Sequence, residues 1–155
     1  MTRMFAIATA SAAALMLWTG AFAQQAGGTR DEAKAMLVKA VAAVKADKTK
    51  ALDLFNKGEG GFRDRDLYVF CVSMPDGKFV AHAAKQLIGQ DVRTLKDATG
   101  KPLGEELYAA FQKPEGEIGE VSYLFPRPGA DKTPVPKVSF TTRVGDLGCG
   151  VGYYK

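Results

Sequence analysis

The sequence predicts an α+β domain in which one long helix and one short helix cover opposite faces of a five-stranded antiparallel sheet. Three observations carry that reading. After Thr29, apolar side chains recur at Ala33, Met36, Leu37, Ala40, Val41 and Val44, the spacing of one helical face. Leu67 to Ala83 reads as two strands joined at Pro75-Asp76-Gly77, an apolar, aromatic and β-branched run beside a turn signal. Three more strand-like runs then close the chain with short connections, the order of an antiparallel meander.

The chain begins with Arg3, an uncharged apolar run from Met4 to Trp18, and a small-residue ending from Thr19 to Ala23. This is the pattern of a secretory signal peptide, residues 1–23. The run is shorter than the roughly 20 apolar residues of a membrane-spanning helix. No later segment could cross a membrane, so the mature chain, residues 24–155, is expected in the periplasm or secreted. Its length of about 130 residues suffices for one core. Gln24 to Gly28 has the composition of a flexible tail. Thr29 and Glu32 make a capping-box start for the long helix, whose Lys34, Lys39, Lys45 and Lys48 form a solvated face. A second helical piece, Lys48 to Lys57, turns Ala51, Leu52 and Phe55 toward the core and stops at Gly58. Arg63 to Asp66 reads as a turn in solvent.

The first strand, Leu67 to Met74, sets Leu67, Val69, Cys71 and Ser73 on one face and Tyr68, Phe70, Val72 and Met74 on the other. Both faces are largely apolar, which predicts a central strand covered on both sides. Lys78 to Ala83 is shorter and mixed, as an edge strand is. Leu87 to Asp91 reads as an irregular turn with an apolar plug, and Asp97-Ala98-Thr99-Gly100 as a second turn. Gly104 to Phe111 carries Leu107, Tyr108 and Phe111 at helical spacing. Strands are then expected over Gly119 to Phe125, Val135 to Val144 and Leu147 to Tyr154. In the last of these Gly148, Gly150 and Gly152 leave one side bare, so that a helix, a backbone or a ligand can approach closely.

Composition and motifs narrow the function classes. Lys and Arg number 21 against 17 Asp and Glu, a net charge of +4 that loses one unit with Arg3. The charges are interspersed, which favours small anions slightly and makes a poor case for nucleic acid. His82 is the one histidine, and no Gly-x-Ser-x-Gly elbow is present, so no catalytic constellation is expected. Cys71, Cys149 and His82 lack metal-site spacing, and no Cys-x-x-Cys-His haem motif occurs, so neither metal nor cofactor is expected. Two cysteines in an exported chain favour one disulfide, worth about 4.5 kcal/mol for a loop of roughly 80 residues. Two buried thiols packed as small hydrophobes are the alternative.

Leu52-x-x-Phe55-Asn56, Gly61-Phe62, Asp66-Leu67-Tyr68-Val69-Phe70, Asp76-Gly77 and Ala81-His82 follow one another in a recognisable order. So do Leu87-Ile88-Gly89 before Asp91, Asp97-x-x-Gly100, Tyr123-x-Phe125-x-Pro, Pro136-Lys137-x-Ser139-Phe140 and Gly148-Cys149-Gly150-Val151-Gly152-Tyr153. This ordered set, spanning nearly the whole mature chain, resembles the single Cache domain of extracytoplasmic bacterial sensors. The resemblance implies a PAS-like sheet behind the long helix, with a small-molecule pocket between the sheet and the middle segment. It implies a small organic anion, such as a short carboxylate, as ligand, and a setting in chemoreceptors or sensor kinases. This sequence carries no output domain, so a separate membrane-bound sensor or transporter is the expected partner.

A carboxylate site needs a cation, a few donors and an apolar wall. Lys137 is the expected charge partner, His82 and Tyr123 the donors, Phe125 the wall, with Ser139 on the face of Lys137 and Tyr108 overhead. Each also has a plainer reading: a hydrogen-bonded structural histidine, core aromatics, an exposed edge lysine. The other function class that the sequence supports is a redox-responsive accessory module built on a Cys71–Cys149 disulfide.

Overall fold

The computed structural model describes residues 27–155, and the leader expected over residues 1–23 lies outside them. Helix α1 (Arg30–Ala46) opens on the capping box, with Thr29 and Glu32 each bonding the other's backbone N–H. Asp47 ends it and caps α2 (Lys48–Lys57) in turn, and Gly58 closes α2 in the left-handed region at φ 71°. Strands β1 (Arg63–Asp64), β2 (Leu67–Ser73) and β3 (Phe79–Ala81) follow, then helix α3 (Leu103–Phe111) and strands β4 (Gly119–Pro126), β5 (Pro134–Val144) and β6 (Leu147–Tyr154). Among the described residues no helix is long and apolar enough to cross a membrane.

The sheet runs β1-β2-β6-β5-β4, antiparallel throughout, and β3 also pairs with β2. The last strand therefore enters between the first long strand and the rest of the meander. The α+β class, the five main strands and the two covering helices agree with the sequence expectation. The two-residue β1 is additional. Arg63 and Asp64 point their exposed side chains to solvent, as expected of a turn, yet their backbone pairs with Tyr68 and Leu67.

Both faces of β2 are buried, as its composition predicted. Leu67, Val69 and Cys71 pack under α1 and α2 with Leu37, Phe55, Phe140 and Val151. Tyr68, Phe70 and Val72 face the other way, against Val92, Leu103, Leu107 and Phe111 of the middle segment and α3. Each such side chain contributes about 1.5–3 kcal/mol by leaving water. Cys71 stands directly across from Cys149 on the α1 side, and the two form a disulfide in the interior of that layer.

The bare side of β6 is filled by side chains from its neighbours. A Cβ on Gly148 would stand 2.2 Å from Phe111, one on Gly150 2.4 Å from Phe70, and one on Gly152 2.3 Å from Cε of Lys137. Two local expectations are corrected. The plug of the middle segment is Val92, fully buried, whereas Ile88 is 38% exposed. Gly28, read as tail, is pinned: its N–H donates to Asp66 at 2.6 Å, and its Cα lies against Leu67. The partner is a carboxylate 38 residues away.

Replacing both cysteines with alanine is expected to lower the unfolding free energy by about 2–5 kcal/mol, read from urea denaturation. Gly104→Ala places its Cβ 1.6 Å from the Val92 carbonyl oxygen, a backbone atom without freedom to retreat. It is expected to cost about 3 kcal/mol or more, and an unchanged midpoint would contradict this packing of α3 on the middle segment.

Candidate functional site

Strand alternation and register bring the site together on the α3 side of the sheet. Lys137 pairs with Tyr123 of β4 on one side and Tyr154 of β6 on the other. Ser139 and Gly152 are likewise opposite one another. Because Gly152 has no side chain, the Lys137 stem passes over it, and Nζ donates to the Tyr68 hydroxyl of β2 at 2.8 Å. The amine also lies 4.1, 4.7 and 5.4 Å from the ring centroids of Tyr68, Tyr154 and Phe125. Lys137 is 1% exposed. No carboxylate forms a salt bridge with it among the described residues. Asp66, whose charge reaches it, is itself engaged by Arg127 and by the Gly28 N–H.

His82, at the end of β3, is ringed by Tyr68, Phe70, Phe79 and Phe125. Its Nδ1 accepts from the Ala84 N–H at 2.9 Å, which leaves Nε2 to carry the hydrogen. Tyr123 and Ser139 join hydroxyls at 2.7 Å. His82 and Tyr123 line a small chamber with Tyr68, Phe70, Phe79 and Leu107, with Phe125 and Leu95 toward its outer side; Lys137 and Ser139 stand behind Tyr68 and Tyr123 and do not line it. Its volume is about 10 Å³, room for a single water at most. Tyr68, Leu95 and Phe125 are also walls of an open cleft of about 420 Å³, whose rim carries Arg63, Lys85, Arg127 and Lys132. Among the described residues, no acidic one lines either space.

The segment over the chamber is fastened by Asp97. Its carboxylate accepts from the Thr99 and Lys101 N–H groups and the Thr99 hydroxyl, and from the Leu124 N–H of β4. The Thr99 hydroxyl bond is the largest cause that holds this carboxyl down at about 2. Burial depresses the Lys137 ammonium to about 7, with Asp66 opposing and Arg127 adding to the shift. Burial, then the charges of Lys137 and Lys85, hold His82 at about 3. Burial also raises the phenols of Tyr68, Tyr123 and Tyr154.

Of the six residues singled out in the sequence, His82, Tyr123, Phe125, Lys137 and Ser139 converge here. Tyr108 does not join them. Its hydroxyl donates to the Met74 carbonyl at 2.9 Å, Arg93 lies over its ring, and it lines a different cleft with Met74, Pro75, Gln112, Arg143 and Asp146. Sequence reasoning missed Tyr68, Tyr154 and the four basic rim residues. Tyr68 shares the alternation of Phe70, and Tyr154 that of the three glycines, so the pattern held a signal for both. The rim charges sit in loops, in a single 3₁₀ turn (Lys85) and at a strand end, where local sequence has no signal.

The family described as Single Cache domain 2 matches residues 4–154. A search of curated proteins gave no match. Among solved structures, the chain is similar to a methyl-accepting chemotaxis protein from Vibrio parahaemolyticus, with 24% identity and a TM-score of 0.64 over 80% of this chain and 86% of that one. A periplasmic sensor domain of a chemotaxis protein gives 27% identity and a TM-score of 0.60 over 80% and 88%. A structure described as the basis for carboxylic acid recognition by a Cache chemosensory domain gives 24% and 0.59 over 80% and 86%. These likenesses agree with the sensor fold.

The buried groups set the pH dependence of stability. Between 6.5 and about 3 the unfolded chain protonates His82 and the folded one does not. Stability is therefore lost as pH falls through that window, by up to about 1.4 kcal/mol per pH unit. Between about 7 and 10.5 the unfolded chain keeps the Lys137 proton and the folded one releases it, so stability rises with pH there. Urea denaturation of the ligand-free protein should show both limbs, with His82→Asn flattening the acid limb above pH 4.5 and Lys137→Met the alkaline one. A wild-type profile that is flat across both windows would contradict the burial of these groups as neutral species.

Proposed function

We propose, for a chain that belongs to the Single Cache domain 2 family, a role as an exported domain that binds and senses short monocarboxylates without chemistry. The observation that carries this reading is Lys137, a buried amine with no carboxylate bonded to it among the described residues, set beside an aromatic chamber. A ligand carboxylate supplies the missing counter-charge, and charge-assisted bonds of this kind are among the stronger ones a site can offer. His82 Nε2–H and the Tyr123–Ser139 hydroxyl pair stand as donors, and Phe125, Phe70 and Phe79 as walls for a short apolar tail. The basic rim draws anions toward the cleft. The described likeness to a domain that recognises carboxylic acids supports the same ligand class.

The absence of acidic groups from the chamber and cleft linings disfavours amino acids, whose ammonium would be buried unpaired. Dicarboxylates would place a second charge against aromatic walls. The chamber has room for a single water at most, so a ligand needs the shared walls Leu95, Phe125 and Tyr68 to give way toward the cleft. The non-catalytic reading is supported by pairing: Ser139 bonds Tyr123 rather than His82, and His82 Nδ1 is occupied by backbone. Residues 1–23 direct export, and the bound state is presented to a separate membrane-bound sensor or transporter. The disulfide lies fully inside the α1-facing core, a position that supports a staple over an accessible redox switch.

Thermal-shift and calorimetric screening of residues 24–155 tests this. Acetate, propionate or butyrate at a hundredfold its Kd should add about 2.7 kcal/mol of stability, while succinate and alanine leave the midpoint unmoved. Lys137→Met should keep the fold and lose the response, and Tyr123→Phe should weaken binding about tenfold, the loss of about one hydrogen bond. A flat response to all the monocarboxylates, or equal binding of alanine, would remove the ligand assignment.

A further inference from the structure

Among the described residues no carboxylate bonds the buried Lys137 amine, and the charge of Asp66 reaches it only at a distance. We propose that the pocket takes up its carboxylate together with one proton, which settles on Lys137, so that ligand sensing is coupled to external pH. This inference rests on the carboxylate reading above and adds its regulation.

The geometry isolates Lys137 as the seat of the proton. On β2 the amine meets the Tyr68 hydroxyl at 2.8 Å, on β6 the ring of Tyr154, and on β4 Tyr123 and the ring of Phe125. From the end of β3 comes His82, and from the loops come Asp66 and Arg127, bonded to each other. Arg63, Lys85 and Lys132 stand farther out on the cleft rim. The phenols are raised above their ordinary range and stay protonated, while the imidazole, near 3, stays neutral. Of the buried groups, the Lys137 amine alone changes charge around neutrality, at about 7.

The balance is simple. At pH above that value the free site holds Lys137 as a neutral amine, a carboxylate anion enters, and one proton from solvent converts the amine to an ammonium paired with it. No bond other than N–H forms, and nothing is oxidised or reduced. The affinity is then level between the ligand's own carboxyl range and about pH 7. Above that it falls tenfold per pH unit, until the pH reaches the raised value of the occupied lysine.

Calorimetry of propionate binding to the wild-type mature protein, in pairs of buffers of different ionisation heat between pH 4.5 and 9, reads the proton directly. The expected result is uptake of about half a proton at pH 7, approaching one at pH 8.5, with Kd weakening tenfold per unit between pH 7.5 and 8.5. In NMR of lysine labelled with carbon-13 at Cε, one resonance should titrate near 7 in the free protein and well above 8 when propionate is bound. Tight binding with no buffer-dependent heat and a level Kd would overturn the coupling and leave the carboxylate reading standing. Uptake confined to pH below 6 would put the proton on His82 and overturn the assignment to Lys137. No binding of propionate or acetate at any of these pH values would overturn both.

Discussion

One desolvated amine constrains the ligand side of this domain. Lys137 sits in a shell of three tyrosines and a phenylalanine, with its stem over Gly152 and its nitrogen on the Tyr68 hydroxyl. A lone ammonium in such surroundings is costly unless it is paired or gives up its proton. Asp66 is tied to Arg127 and Gly28 and does not pair with it. The amine is therefore poised between losing a proton and gaining an anion, and either resolves the same electrostatic conflict.

The rest of the structure divides into the stapled layer under α1 and the cover over the chamber. Under α1, the disulfide and the close-packed layer of Leu37, Phe55, Phe140 and Val151 fix β2 and β6 together. Over the chamber, the cover is two single-turn 3₁₀ helices, Lys85–Leu87 and Val92–Thr94, and α3, kept in place by Val92, by Gly104 against the Val92 carbonyl, and by Asp97 reaching to β4. Phe125 and Leu95, which separate chamber from cleft, lie at the end of β4 and in this cover. The polar network also extends beyond the site: Asp66 joins the Arg127 loop on the cleft rim to the backbone that leads into α1.

Much of this was legible in the residues themselves. The two faces of Leu67 to Ser73 divide between the two cores as alternation dictates, and the capping box and the Gly58 stop bound their helices where local chemistry puts them. Cys71 and Cys149 could be paired in thought, yet only the insertion of β6 beside β2 makes them opposite residues. Tyr68 was hidden because an aromatic in an apolar strand reads as core, and it is core. Its hydroxyl matters through Lys137, 69 residues away. Tyr108 shows the converse: its helical spacing is right, but the rotation of α3 over the sheet takes its hydroxyl to Met74.

The sequence by itself determined the fold class, the helix and strand faces, five of the residues that converge and the presence of a lysine among them. These depend on periodicity, capping and turn chemistry, which act over a few neighbouring residues. The tertiary structure alone decided that Lys137 is dry, that Gly152 opens its path, that Asp66 is already taken and that the rim is basic. Desolvation and counter-ion supply are properties of the surroundings that a folded chain builds around a group, and those surroundings come from strands and loops far apart in the sequence.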